Sequence, residues 1–157
     1  MYLDETVGQC VRSVDSLATQ RGLRLDYQTS VQELFFSGDE GLLRRMTLNL
    51  LDNAIKYTPP GGSIRVRIAR NGSSCKLAIT DTGMGIPPEL QSRVFERFFR
   101  AGQARPRTEE RNGSGAGLGL SIARWIAELH GGDLILDNSD KGGSTFVISL
   151  PLPQAPG

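Results

Sequence analysis

No apolar run in this chain approaches the length of a membrane span, and no signal peptide is visible, so a soluble domain is expected. Cysteine is scarce: Cys10 and Cys75 fit no metal-binding spacing, and reduced thiols packed in a core, in a cytosolic compartment, are the plain reading. Neither charge sign dominates. The formal net charge is +1 with acidic and basic residues interspersed, so nothing points to a nucleic-acid partner. Histidine occurs once, as His130. There is no internal repeat or low-complexity tract, and 157 residues with 38% hydrophobic content suffice for one globular domain with a sizeable core.

What the chain does contain is four glycine- and amide-rich segments in a fixed order. These are Asn49 to Tyr57, Asp81 to Gly85, Gly113 to Gly119, and Gly142 to Thr145. The first lies in a proline-free stretch from Asp39 to Tyr57, where Leu43, Leu50, Leu51, Ala54 and Ile55 share one helical stripe. Asp39 suits the N-cap, and Pro59-Pro60-Gly61-Gly62 stops the helix. Asn49, Asn53 and Lys56 fall at i, i+4 and i+7 and stack on one face, with Tyr57 beside them. Asparagine is a mediocre helix former, so two on one stripe call for a chemical reason, and two amides with an ammonium suit phosphate and metal. A solvated polar face is the alternative.

Asp81 closes a strand read at Lys76 to Thr80, and Gly83 and Gly85 turn the chain immediately after it. A carboxylate there accepts from an exocyclic amine, while glycine lets a flat base approach the main chain. Taken alone, Asp-Thr-Gly is better read as an ordinary tight turn. The third segment opens a helix whose apolar stripe is read as Leu118, Ile122, Trp125, Ile126 and Leu129, ended by Gly131-Gly132. Glycines ahead of a helix N-terminus leave amides free for an anion. A dinucleotide-binding fold fails on context, because a polar run, Arg105 to Asn112, precedes the loop where a strand is required.

These residues resemble the catalytic, ATP-binding domain of bacterial sensor histidine kinases, in the superfamily shared with gyrase, mismatch-repair and chaperone ATPases. Asn49 to Tyr57 resembles the family's N box, Asp81 to Gly85 its G1 box, Val94 to Arg100 its F box and Gly115 to Gly119 its G2 box; Gly142 to Thr145 resembles its last glycine motif. The similarity runs from Asp39 to Leu150. It implies an α/β fold (an α+β sandwich, the Bergerat fold) with a mixed, mostly antiparallel sheet of about five strands, helices on one face and an ATP lid.

Residue by residue, the resemblance assigns Asn49 to Mg²⁺ and Asn53 and Lys56 to the phosphates of ATP. It places Tyr57 near the adenine, Asp81 on the adenine amino group, and Gly83, Gly85 and Ile86 around that pocket. Gly115, Gly117, Leu118 and Gly119 would offer backbone amides to the phosphates, Arg100 would be a phosphate contact, and Thr145 would lie near the base. Hydrolysing relatives carry Glu where this chain has Asn49, and an amide does not accept a proton at neutral pH, so the chain resembles the phosphotransferases. Ser114 and Ala116 depart from the family's usual Gly and Thr, which puts one lid hydroxyl contact in doubt but not the amide cradle.

The implied reaction is transfer of the γ-phosphate of ATP to a histidine on a separate dimerisation hairpin, with a response-regulator receiver domain as the next partner. His130 sits where the family has a histidine after the G2 helix and is read as structural, so the phosphoacceptor would lie elsewhere in a longer, homodimeric kinase. This domain would be cytoplasmic, with no membrane contact of its own, in a parent that can be anchored in the inner membrane. Two alternatives stand beside it: a stand-alone protein-serine kinase of the anti-sigma type, and a nucleotide-binding module without catalysis.

The layout read from the sequence is a helix over residues 1–22 leading towards the hairpin, an ATP-binding domain over 23–151 with its lid at about 100–116, and a frayed tail at 152–157. The N-terminal helix, Leu3 to Gln20, carries Val7, Val11, Val14 and Leu17 on its apolar side. Strands are expected at Leu23 to Thr29, Leu34 to Phe36, Ser63 to Arg70, Leu134 to Leu136 and Thr145 to Leu150, with Asn71-Gly72 turning one hairpin.

Overall fold

Proline and glycine set the ends of most elements. The helix α2, Glu40–Tyr57, starts on Asp39, whose side chain accepts from the Leu42 amide at 2.9 Å. It ends at Thr58, which is extended at ψ 121° because Pro59 excludes the helical conformation from the residue before it. The helix α1, Leu3–Gln20, ends on Gly22 at φ +75°, with the Leu23 amide reaching back to the Ala18 carbonyl. The third helix, α3, Gly119–Leu129, ends the same way on Gly131 at φ +80°, with the Gly132 amide on the Ala127 carbonyl. Both are Schellman motifs, which need a left-handed residue that glycine supplies at no steric cost.

The structure, a computed structural model, describes residues 1–96 and 119–153. The strands are β1 (Arg24–Thr29), β2 (Ser63–Asn71), β3 (Ser74–Asp81), β4 (Asp133–Asp140) and β5 (Gly143–Pro151). They form one sheet in the order β1-β2-β3-β5-β4, with β1 and β2 parallel and the remaining pairs antiparallel. The parallel pair needs a crossover, and α2 provides it. Gly72 at φ +63° closes the β2–β3 hairpin over Gly72-Ser73, within the paired Asn71 and Ser74. A 3₁₀ turn spans Pro88–Arg93.

One face of the sheet carries the core. On β3, Cys75, Leu77, Ile79 and Asp81 are buried while Lys76 and Thr80 are exposed, the period-two alternation of a half-buried strand. Against that face lie Leu43, Met46, Leu50, Leu51 and Ala54 of α2 and the buried residues of α1 and α3. Cys10 and Cys75 are free thiols buried in this core. Burial pushes both up from their ordinary range, Cys75 to about 11, so they behave as small apolar side chains.

Four expectations from the sequence change. Leu34 to Phe36 does not join the sheet: Phe35 makes an isolated bridge to Tyr2, and the Leu3 and Phe36 amides pair with the Leu34 and Met1 carbonyls. Asp4 draws this segment to α1 instead, accepting from the Leu34 amide at 2.8 Å and the Glu33 amide at 3.2 Å. On α1 the buried stripe is Leu3, Val7, Cys10, Val11 and Ala18, whereas Leu17 is exposed. On α3 the core-facing residues are Ala123, Ile126 and Ala127, and Trp125 and Leu129, each 54% exposed, are not. The two alanines allow close packing against α2, and a pattern weighted towards large side chains overlooks them. Finally β4 and β5 extend beyond Leu134–Leu136 and Thr145–Leu150 into a long hairpin with an irregularity between Leu136 and Asn138. Its outer half is polar, so no apolar alternation marks it.

Asp4→Ala removes both side-chain acceptors of the 33–36 segment. It is expected to lower the unfolding free energy by about 1–3 kcal/mol, read as a lower urea midpoint at unchanged slope. An unchanged midpoint would mean that the Met1–Phe36 pairing suffices to hold the segment.

Candidate nucleotide site

Asp81 ends β3 on the buried face of the sheet, only 6% exposed. Its Oδ1 accepts from the Gly83 amide at 2.9 Å and from the Ser144 amide at 3.2 Å. Among the described residues nothing donates to Oδ2. Desolvation raises the Asp81 pKa from its ordinary value, and the two backbone donors oppose that rise without cancelling it. A buried carboxylate oxygen without a partner costs free energy unless a ligand supplies a donor.

Close backbone contacts hold this carboxylate in place. A Cβ on Gly83 would lie 2.6 Å from the Tyr57 carbonyl, so the turn after Asp81 sits directly on the last residue of α2. Gly85, at φ +76°, faces the Asp140 carbonyl so closely that a Cβ would stand 1.8 Å from it. Gly143, at φ +130°, would place a Cβ 1.9 Å from the Asp81 carbonyl. Neither position accepts a side chain without displacing backbone. The Ile86 amide then donates to Ser139 Oγ at 2.7 Å, and Gln91 Nε2 donates to the Ile86 carbonyl at 2.9 Å. The loop after Asp81 is thereby tied to the β4–β5 hairpin.

The α2 face meets this corner from the other side. Asn49, Asn53, Lys56 and Tyr57 are all half-buried. Asn49 Nδ2 donates to the Gly119 carbonyl at 3.2 Å, joining the middle of α2 to the start of α3. Lys56 Nζ lies 5.9 Å from the centre of the Tyr57 ring. Asn49 thus meets the start of α3 at Gly119, Tyr57 at the end of the same helix meets the Gly83 turn that follows Asp81, and Ile86 is held against the β4–β5 hairpin; Asn53 and Lys56 lie between Asn49 and Tyr57 along α2. Arg100, Gly115, Gly117 and Leu118, with the stretch read as a lid and most of the F box, lie outside the described residues. Val94 is buried, and Phe95 meets Phe146 edge to face at 6.0 Å under the Arg124 guanidinium at 5.0 Å, so this aromatic of the F box is packed.

Thr145 is the exception. Its Oγ1 lies 3.0 Å from Thr80 Oγ1, and Thr80 is on the face of β3 opposite to Asp81. Ser144 pairs with Asp81 across the strands instead, is buried, and has its Oγ 2.7 Å from Ser139 Oγ. Strand parity carried this signal: Phe146, Ile148 and Leu150 point inward, so Ser144 must as well and Thr145 must not. Ser139 and Gln91 lie in irregular or polar stretches, and no pattern in the sequence singles them out.

The model of the histidine kinase-, DNA gyrase B- and HSP90-like ATPases matches residues 38–154. The chain belongs to that family. Among curated proteins it is 43% identical over 114 residues to the sensor-like histidine kinase SenX3 of Mycolicibacterium smegmatis, covering 73% of this chain and 29% of SenX3. It is 38% identical over 154 aligned residues to the histidine-protein kinase/phosphatase MprB of Mycobacterium bovis, covering 90% of this chain and 29% of MprB. The chain therefore spans under a third of the length of either relative. The catalytic domain of the histidine kinase ThkA superposes with a TM-score of 0.82 at 25% identity, over 97% of this chain and 93% of that one. Full-length ShkA in complex with AMPPNP gives a TM-score of 0.82 at 25% identity, over all of this chain and 31% of that one. The fold is that of a histidine-kinase catalytic domain, with the five-stranded mixed sheet and one-sided helices expected from the motifs.

Because burial raises the Asp81 pKa, the stability contributed by this group is complete at low pH and is lost as pH rises through its folded-state value. Asparagine keeps the acceptor for Gly83 and Ser144 without the buried charge. Asp81→Asn is therefore expected to be at least as stable as the wild type at neutral pH, with the difference shrinking on acidification towards the ordinary aspartate value of about 3.9. Thermal melts of both proteins across that range check it; a variant less stable at neutral pH would contradict it.

Proposed function

We propose that this domain binds ATP at the corner formed by α2, the Asp81 turn and the start of α3, and passes the γ-phosphoryl group to a histidine on a separate dimerisation hairpin. The observation that carries the reading is the buried Asp81 with one oxygen committed to two backbone amides and the other unclaimed among the described residues. That oxygen suits the exocyclic amine of adenine and would repel the carbonyl that guanine presents at the same place. Tyr57 and Ile86 flank the base, and Asn53 and Lys56 face the phosphates. Thr145 is better replaced in this role by Ser144, whose side chain shares the Asp81 face.

Mg²⁺ fits the same arrangement. With Nδ2 of Asn49 spent on the Gly119 carbonyl, its Oδ1 is the oxygen left to face a cation. No cluster of three or more His, Cys, Asp or Glu that could hold a metal occurs among the described residues, so the ion would depend largely on phosphate oxygens and water, as magnesium commonly does. When bound, it would neutralise phosphate charge and orient the terminal phosphoryl group. A protein-serine kinase of the anti-sigma type is disfavoured by the amide at position 49. A binding module without catalysis is disfavoured by the presence of Asn53, Lys56, Asp81 and the glycine segment together in the chain.

A response-regulator receiver domain as the onward partner, a homodimeric and membrane-anchored parent, and a cytoplasmic position for this domain all follow from the same reading. What the names of the relatives support is a signalling histidine kinase as the parent. For this chain, no helix among the described residues is long and apolar enough to cross a membrane.

Asp81→Asn turns the unclaimed acceptor into an amide donor facing the amine of adenine. ATP affinity is expected to fall at least tenfold in a folded protein, from an unmade bond of about 1–3 kcal/mol plus donor–donor repulsion. Calorimetry with ATP and GTP checks this, and unchanged ATP affinity would refute the assignment of Asp81 to the base. Separately, the domain alone is expected to hydrolyse ATP only at a trace rate and to phosphorylate a supplied cognate hairpin. Steady hydrolysis without the hairpin would count against the transferase reading.

A further inference from the structure

His130 stands just past the end of α3, and both of its ring nitrogens are engaged. The Asp39 amide, which can only donate, reaches Nε2 at 3.1 Å, so Nε2 must be the unprotonated nitrogen. Nδ1 therefore carries the proton and donates to the Ile126 carbonyl at 2.8 Å. This is one tautomer of a neutral imidazole, fixed by its two partners. Phe36 lies against the ring with centroids 5.9 Å apart, and a Cβ on Gly38 would come within 2.7 Å of His130 Cδ2. The imidazole occupies a fitted slot between the end of α3 and the N-cap of α2.

The partner on α2 matters. Asp39 is the N-cap of the helix that bears Asn49, Asn53 and Lys56. Along α2, Asp39 and Asn49 are separated by about 15 Å, and along α3 Gly119 and His130 by about 16 Å, at 1.5 Å per residue. The two helices thus run antiparallel, with one hydrogen bond at each end of the shared span: His130 to Asp39, and Asn49 to Gly119. Between the two ends the buried residues of α3 are Ala123, Ile126 and Ala127, so polar contacts at the ends supply what the apolar packing does not fix by direction. We propose that His130 is a positioning residue. By clamping the C-terminal end of α3 to the N-cap of α2, it sets the register of the start of α3 against the Asn49–Asn53–Lys56 face, and so the grip on the phosphates rather than on the base.

This rests on the reading of the corner as an ATP site, and the test keeps the two separable. His130→Asn keeps a short polar group that can still reach the Ile126 carbonyl but not Asp39. His130→Gln extends an amide oxygen to where Nε2 stood. Gly38→Ala keeps the histidine in the sequence but crowds its ring, together with that of Phe36, in the slot. Affinities for ATP and for adenosine are measured by calorimetry in each folded variant, and exchange of the Asp39 amide is followed by NMR without nucleotide.

His130→Asn and Gly38→Ala are expected to weaken ATP about fivefold, the size of one ordinary hydrogen bond, with adenosine changed less than twofold and the Asp39 amide exchanging faster. His130→Gln should restore both. Equal ATP affinity in the wild type and His130→Asn, an equal loss for ATP and adenosine, or a failure of His130→Gln to rescue would overturn the proposal. Wild-type protein that binds no ATP would refute the nucleotide reading and with it the coupling. Even then, an Asp39 amide that exchanges at the wild-type rate in His130→Asn would independently overturn the clamp.

Discussion

A carboxylate kept out of water at the end of β3 constrains more of this structure than any other group. Burying Asp81 is unfavourable, so its Oδ1 must find donors that cannot move away, and it takes them from backbone: Gly83 two residues on, and Ser144 across the sheet. The second donor ties the register of β5 to that of β3, since a slip by one residue would turn Ser144 away from the core face. Gly83, Gly85 and Gly143 follow from the same requirement. Each sits where backbone from α2, β4 or β3 comes too close for a Cβ. The cluster of glycines is the consequence of packing main chain from several elements around one buried charge.

The helical half of the site obeys a different logic. α2 lies between α1 and α3 over the sheet, and its stripe of Leu43, Met46, Leu50, Leu51 and Ala54 is committed to the core. Its polar residues divide between two sides: Glu40 and Arg44 meet α1, and Asn49 meets the start of α3. On that second side Asn49 reaches the first residue of α3 directly. Chemistry and packing share one helix, because a residue at i+4 from a site residue is on the site, while its immediate neighbour is in the core.

This division explains how much was legible in the sequence. α2 was readable to within a residue, because Asp39 and Pro59 mark its ends and its apolar spacing is regular. The β2–β3 hairpin was readable for similar reasons, through Ile64, Val66 and Ile68 and the turn at Gly72. The buried stripe of α3 was not, because its contact surface is alanine, which a search for large apolar residues passes over in favour of Trp125 and Leu129. The outer half of the β4–β5 hairpin was hidden because its pairing satisfies backbone groups without burying side chains. At the site, each residue named for the adenine by motif lies at the corner except Thr145. Thr145 alternates with the inward-facing Phe146 and Ile148 along β5, so its side chain lies on the other face of the sheet. Ser139 and Gln91 were beyond reach, since they act through contacts between segments far apart in the chain.

The amide at position 49 bears on which acceptor suits this site. Attack on a phosphorus by water or by a serine hydroxyl requires a proton to be taken up as the bond forms, and a carboxylate beside the γ-phosphate is the usual means. Asn49 offers no such base. A neutral imidazole needs none: the unprotonated ring nitrogen already presents its lone pair, the new N–P bond forms as the bond to the β–γ bridging oxygen breaks, and that electron pair leaves with ADP. The proton on the other ring nitrogen can be lost afterwards, away from the reacting centre. On the proposed reading, a site that cannot activate water would spend little ATP while waiting for its partner, yet would lose nothing once that partner brings a nucleophile that is active without assistance. On that reading, an amide in place of a carboxylate at position 49 would select the acceptor by chemistry, before any surface contact selects it by shape.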